Sequence, residues 1–360
     1  MDQPSNEQTM GMVDRYHRQS RVCVIGQAGQ QRLANTRVLL VGCGALGTVI
    51  AEQLVRGGVG WMRIADRDLV ELTNLQRQVL FDEADAKESV PKAIAAERRL
   101  REINSTVQID PQVVDVNPTN IEMLCGLKQG QTPVDLILDG TDNVAIRYLI
   151  NDVSIRHVIP WVYGACIGTE GRAAAVLPGV GPCLRCLFET PPPTGSLATC
   201  DTAGVLACVA ATVASMQVVS ALKLLTGDKD VDHFHLWSFD LWEGRVRPIS
   251  TQGGRREDCP CCGKNQFEFL DSKQIDTMAK LCGRQSVQVL PSQKVMLNLA
   301  DIGQRLGSVG KVEQKQYFLR CQLADPPEIG LTVFPDGRVL VHGTEDTARA
   351  KSICARFLGA

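Results

Sequence analysis

Apolar residues come in short, unbroken blocks through the first two thirds of the chain. Arg37-Val38-Leu39-Leu40-Val41 is one, Trp61-Met62-Arg63-Ile64-Ala65 another, and Val134-Asp135-Leu136-Ile137-Leu138 a third. Such blocks, bounded by turn formers, predict strands covered on both faces, as in a parallel sheet. Between them the period becomes helical. Thr48 to Arg56 predicts a helix closed by Gly57-Gly58, and Val205 to Leu225 a long apolar one. Ser89 as cap and Pro91 in the first turn predict another, with Ile94, Leu100 and Ile103 on its apolar side. Further strands are expected over 107–116, broken at Pro111, over 161–168 and 172–177, and over 233–250, which carries Trp237, Phe239 and Trp242. The alternation predicts an α/β fold, a Rossmann-like sheet with helices on both faces.

The pattern then shifts. A strand over 286–290, a helix over 297–306, a strand over 317–323, a hairpin over Pro335-Asp336-Gly337-Arg338 and a helix over 344–358 predict a small α+β domain. This divides the chain into a polar, disordered lead-in (1–13), a main domain (14–264) and a C-terminal domain (265–360). No catalytic constellation is visible in the last, and Cys282-Gly283-Arg284 reads as a turn.

Chemistry enters where the first strand ends. Gly42-x-Gly44-x-x-Gly47 has the nucleotide-binding spacing. The first glycine allows a tight turn, the second admits a phosphate to the backbone, and the third lets helix and strand pack closely. Asp66 closes the second strand roughly 20 residues further on, where a ribose-binding acid belongs. The loop after it, from Asp66 through Asn74-Leu75-Gln76-Arg77-Gln78, is too rich in anion-binding groups for a nicotinamide enzyme and suits a triphosphate. Lys92 lies in the first turn of its helix, where the dipole disfavours a cation, which points to an anion nearby. Asp142, in Asp139-Gly140-Thr141-Asp142-Asn143, is placed to bind Mg²⁺ on nucleotide phosphates, to cap the next helix, or to do both.

Of 14 cysteines, two pairs are informative. Cys183-x-x-Cys186 and Cys259-x-x-Cys262 fit a closed tetrahedral zinc site that staples two distant segments, with Cys261 as the spare. Cys200, in a polar turn before the long apolar helix, is a candidate reactive thiol. Cys23, Cys43, Cys125, Cys166, Cys208, Cys321 and Cys354 read as small hydrophobes. A net charge of -2 gives no footprint for nucleic acid or an anionic membrane. No apolar run reads as long enough to cross a bilayer and the N-terminus has no signal-peptide core, so a cytoplasmic protein is expected.

Arg15-Tyr16-His17-Arg18-Gln19, the glycine turn, Asp66-x-Asp68, Asn74-Leu75-Gln76-Arg77-Gln78, Lys92, Thr141-Asp142-Asn143 and the two cysteine pairs come in an order that resembles the MoeB/ThiF family. These are adenylyltransferases of molybdopterin and thiamine biosynthesis, related to ubiquitin-activating enzymes. The resemblance covers 14–264, and the C-terminal part resembles the extension of some longer bacterial ThiF-type members, not a rhodanese domain. It implies a reaction in which a ubiquitin-like sulfur-carrier protein ending in Gly-Gly attacks the α-phosphate of MgATP. It implies Gly42, Gly44, Gly47 and Asp66 for the nucleotide, Asn74, Arg77 and Lys92 for the phosphates, and Asp142 for magnesium. It further implies zinc on Cys183, Cys186, Cys259 and Cys262, a covalent role for Cys200 in some members, and a homodimer with Arg18 acting on the partner's site. Two other readings are weighed: a nicotinamide-dependent oxidoreductase on the same turn, and a catalytically silent binding subunit.

Overall fold

A computed structural model describes residues 15–192, 200–227, 234–272, 278–280, 285–291 and 295–358. The lead-in 1–13, the end of the proline-rich loop and Cys282-Gly283-Arg284 lie outside them. The chain divides into two compact units, Met1–Ser272 and Lys273–Ala360. The first runs past the break expected at 264 because Phe267, Phe269 and Leu270 pack into its core.

An eight-stranded sheet forms the first unit. Its strands are β1 (Arg37–Val41), β2 (Trp61–Ala65), β3 (Gln108–Gln112), β4 (Leu136–Asp139), β5 (Trp161–Ile167), β6 (Glu170–Val176), β7 (His235–Asp240) and β8 (Arg245–Ser250). They lie in the order β3-β2-β1-β4-β5-β6-β7-β8. The strands from β3 to β5 run parallel, and β5 to β8 are antiparallel. Both faces of the parallel part are covered. Leu39 and Val41 join Tyr148, Leu149 and Val153 of the helix Val144–His157 in one core cluster. On the other face the helix Ala45–Gly57 approaches β1, its Gly47 lying over Leu40. This is why the strand blocks carry no polar alternation.

Several expectations need correction. β3 runs through Pro111, paired with Ile64, and does not break there. The strand is at the sheet edge, so the missing N–H faces no neighbour. Ser89 does not cap the helix Lys92–Ile103; Pro91 does, while Ser89 closes an unforeseen helix, Glu83–Glu88, in the left-handed region (φ 51°). Trp242 lies in the turn between β7 and β8, 77% exposed. The helix Ala207–Thr226 is long and apolar enough to cross a membrane by length and composition, which the sequence reading missed. It packs on β5, β6 and the helix Ala45–Gly57, and its buried Gln217 reaches the carbonyls of Asp139 and Val162. Cys23 and Cys208 are exposed, whereas Cys43, Cys125, Cys321 and Cys354 are buried.

The second unit is a six-stranded antiparallel sheet. Its strands are β9 (Met278–Lys280), β10 (Ser286–Val289), β11 (Gly310–Gln314), β12 (Leu319–Leu323), β13 (Gly330–Val333) and β14 (Val339–His342), in the order β11-β12-β13-β14-β10-β9. Along β12 Leu319, Cys321 and Leu323 are buried while Arg320 and Gln322 are exposed. The buried row joins Leu299, Ile302 and Leu306 of the helix Leu299–Leu306, and Ala350, Ile353 and Cys354 of the helix Thr347–Leu358. β9 and β11 are short or charged, and neither was foreseen.

Candidate active site

β1, β2 and β4 end side by side: Val41 pairs with Ala65 on one flank and with Asp139 on the other. Ligands of open α/β sheets bind beyond such strand ends. Gly42 turns the chain here with φ +88°, a conformation that disfavours any side chain. A Cβ on Gly47 would stand 2.1 Å from the Gly42 carbonyl oxygen, so only glycine lets the helix start this close. Gly44 differs. A Cβ there would meet nothing nearer than 3.9 Å, so protein packing does not demand this glycine and the space above it stays open. The turn thus keeps room at the N-terminal end of a thirteen-residue helix, where free N–H groups favour an anion.

Asp66 is buried under this turn. Its Oδ2 accepts from the Cys43 N–H at 2.6 Å and its Oδ1 from the Asp68 N–H at 2.7 Å. Burial raises its carboxyl above the usual range, opposed by Lys92 and by those two donors, while Asp68 adds to the rise. Lys92 is 5% exposed, and its Nζ lies 3.1 Å from Asp68 Oδ2. Burial works against the ammonium, but Asp68, Asp66 and Asp142 together hold it above its ordinary value. The anions that the misplaced lysine called for are these carboxylates. One of them, Asp68, is open enough to release the lysine to another anion.

Asp142 is exposed and makes no hydrogen bond among the described residues. The cap of the helix Val144–His157 is Asn143, whose Oδ1 accepts from the Ile146 N–H at 3.2 Å. The capping alternative for Asp142 is therefore set aside. Arg77 is half-buried and donates Nη1 to the Thr73 carbonyl at 3.0 Å. Asn74 is buried, with Oδ1 taken by the Glu71 N–H at 3.2 Å. Arg18 stands apart from this set, exposed on the short helix His17–Ser20. Its neighbours are fixed: Tyr16 packs under Gly58 and takes a hydrogen bond from Asn104 at 2.7 Å, and Gln19 donates to the Gly57 carbonyl at 2.8 Å. Cys200 opens a four-residue helix, Cys200–Ala203, which stands between it and the helix Ala207–Thr226; its side chain lies outside the described residues.

Two site groups escaped the sequence reading: Asp139 and Arg147. Asp139 is fully buried, and Arg147 Nε reaches its Oδ2 at 3.0 Å. A buried acid at a strand end needs a cation, and an arginine in the following helix was the available signal.

The second constellation is distant in sequence. The sulfurs of Cys183, Cys186, Cys259 and Cys262 all lie within 4.8 Å of one another. Individual separations are 3.9 Å (Cys183–Cys186), 3.6 Å (Cys183–Cys259) and 3.4 Å (Cys186–Cys262). Four thiolates at about 2.3 Å from one tetrahedral zinc stand at similar spacing. Hydrogen bonds from Cys183 and Cys262 favour the Cys186 thiolate, and the same bonds push Cys183 and Cys262 up. Four convergent sulfurs are a donor set that a divalent metal would hold as thiolates. Cys261 is not idle: Asn151 donates Nδ2 to its sulfur at 3.3 Å and accepts the Leu184 N–H at 2.8 Å, tying both cysteine segments to one helix.

Residues 16–261 match the model of the ThiF family. The chain belongs to the ThiF family. The sulfur carrier protein ThiS adenylyltransferase of Bacillus subtilis (strain 168) is 42% identical over 97% of this chain and 100% of its own length. The sulfur carrier protein adenylyltransferase of Thermus thermophilus is 38% identical over 72% of this chain and 94% of its own. Among solved structures, E. coli MccB with ATP superposes with a TM-score of 0.59 at 20% identity, over 69% of this chain and 74% of that one, a likeness of fold.

Proposed function

We propose that this ThiF-family protein is a nucleotidyltransferase that adenylates the C-terminal glycine of a ubiquitin-like sulfur carrier. The carrier's carboxylate attacks the α-phosphate of ATP. A P–O bond forms to the carboxylate, the bond to the β-phosphate bridging oxygen breaks, and pyrophosphate leaves. The carboxylate is already ionised, so the site has to position and neutralise charge and needs no general base. The observation that carries this is Lys92 held by an exchangeable carboxylate beside an open glycine turn.

On this reading the space over Gly44 admits the phosphates, Asp66 holds the ribose, and Lys92 and Arg77 turn from Asp68 and Thr73 to phosphate oxygens. Asn74 supports the loop and offers its amide N–H groups. Asp142 binds magnesium, which neutralises charge on the phosphates. Arg18 reaches the site of a partner copy in a homodimer, consistent with its exposure here. Zinc on the four cysteines is structural, since no ligand position remains open. Cys200 takes no part in adenylation and is left for the sulfur transfer that follows. The Bacillus relative, matched end to end, favours a ThiS-type carrier over a MoaD-type one, and hence the thiamine pathway. Exposed free cysteines, Cys23 and Cys208, suit the cytoplasm. The oxidoreductase reading gains nothing from these groups, because hydride transfer has no use for Lys92 and Asp142 at the phosphates.

The test is exchange of labelled pyrophosphate into ATP, expected only with a carrier ending in Gly-Gly. No exchange with any such carrier from the same cell overturns the proposal. Asp142→Ala should lower exchange about 10²–10³-fold with zinc content and melting temperature kept; normal exchange removes Asp142 from the mechanism.

A further inference from the structure

The ion pair at the end of β4 has a geometry that stability alone does not explain. Asp139 Oδ1 accepts from the Thr141 N–H and the Thr141 hydroxyl, both at 2.9 Å. Its Oδ2 accepts from Arg147 Nε at 3.0 Å and from the Gly164 N–H at 3.4 Å. Arg147 then closes the ring, donating Nη2 to the Thr141 carbonyl at 2.7 Å. Thr141 is held on its N–H, its hydroxyl and its carbonyl by two side chains, Asp139 fully buried and Arg147 12% exposed, and the next residue is Asp142. The Asp139 carbonyl is pinned as well, by Gln217 Nε2 at 2.7 Å. Burying two charges offsets most of their attraction, so such a pair is a poor route to stability. What it does well is fix a turn, because a guanidinium presents two donors in one rigid plane.

We propose that Arg147 is a positioning residue for Asp142: by gripping the Thr141 carbonyl against Asp139, it presents the Asp142 carboxylate to the divalent cation on the nucleotide phosphates. This rests on the reading of Asp142 as the magnesium ligand. Arg147 touches neither nucleotide nor metal. Its loss should therefore weaken the response to the cation and leave the response to ATP alone.

Arg147→Lys keeps the charge and loses the fork, since one ammonium cannot hold both Asp139 and the Thr141 carbonyl in that geometry. In carrier-dependent pyrophosphate exchange, the Mg²⁺ concentration for half-maximal rate should rise about 10-fold. The KM for ATP at saturating Mg²⁺ should stay within about 2-fold. Binding of Mn²⁺ in the presence of a non-hydrolysable ATP analogue, followed by electron paramagnetic resonance, should weaken by the same factor without any turnover. A rate that falls equally at every Mg²⁺ concentration, with Mn²⁺ affinity unchanged, overturns the proposal. So does a variant indistinguishable from the parent. Should Arg147→Lys not fold, Asp139→Asn, which keeps the size and removes the ion pair, is read by the same two measurements. If the parent and Asp142→Ala bind Mn²⁺ alike, the magnesium reading itself fails and takes this inference with it.

Discussion

The strand-end charges and the four-cysteine cluster belong to one unit, yet they are opposite kinds of buried site. At the strand ends the buried charges have partners within the chain: Lys92 with Asp68, Asp139 with Arg147, Asp66 with two backbone N–H groups. The Lys92–Asp68 pair is open on the carboxylate side, 37% exposed, so it can be exchanged. The cysteine cluster is a set of like donors. Its four sulfurs converge within 4.8 Å of one another, and a divalent cation would let all four ionise. On the proposed reading the first region exchanges a partner in the course of its work, and the second holds one permanently.

If that contrast holds, metal loss should damage the fold and Lys92 loss chiefly the chemistry. The largest effect is expected for Cys262→Ser. It removes a ligand from a site whose metal contributes on the order of 10 kcal/mol to small zinc folds. Metal content by mass spectrometry should fall from one zinc per chain, and the melting temperature by more than about 10 °C. Full stability with no metal bound would break the comparison. Next comes Lys92→Met. It takes the buried ammonium from Asp66 and Asp68, but Asp68 is partly solvated and keeps Arg67 at 3.9 Å. Urea denaturation should show a loss of about 1–3 kcal/mol, with zinc content unchanged and pyrophosphate exchange abolished. Adding Asp68→Asn should restore part of the stability and none of the activity. Restored activity in the double variant would mean that Lys92 serves only to neutralise Asp68.

The contrast also explains what was legible in the sequence. The cysteine ligands come as two CxxC pairs, each fixed by local geometry, so spacing alone assigned all four. The glycine turn was legible for the same reason: Gly42, Gly44 and Gly47 lie within six residues, and Gly42 and Gly47 meet directly. Asp139, Arg147 and Gln217 were not, because each finds its partner only through the sheet order or a helix packed across it. Asp142 had capping as its alternative to binding magnesium, and only the structure shows that Asn143 occupies the cap. Pro111 misled the strand prediction because edge and centre look alike in a sequence. Arg18 is exposed, and the role proposed for it, on the site of another copy, is one that a single chain does not display.

The smallest predicted effect lies between the two regions, on the helix that starts beside Asp142 and ends beyond the cysteine cluster. Asp152 accepts the N–H groups of Phe269 at 2.9 Å and Leu270 at 3.3 Å, strapping the end of the unit to that helix. Burial pushes its carboxyl up to about 6, against the pull of those donors, Cys261 and Arg185. An unfolded aspartate titrates near 3.9. Between about 4 and about 6 the folded chain therefore holds more protons than the unfolded one, and its stability falls as pH rises through that window. Two pH units correspond to at most about 3 kcal/mol. Asp152→Asn removes this titration and nothing else that ionises. The stability of the variant relative to the parent should grow by about 1–3 kcal/mol from pH 4 to pH 6 and stay level above pH 7. Acid also protonates the cysteines, but equally in both proteins, so the difference isolates Asp152. A flat difference would mean that water reaches this carboxylate, and that the strap is looser than the strand-end turn at the other end of the same helix.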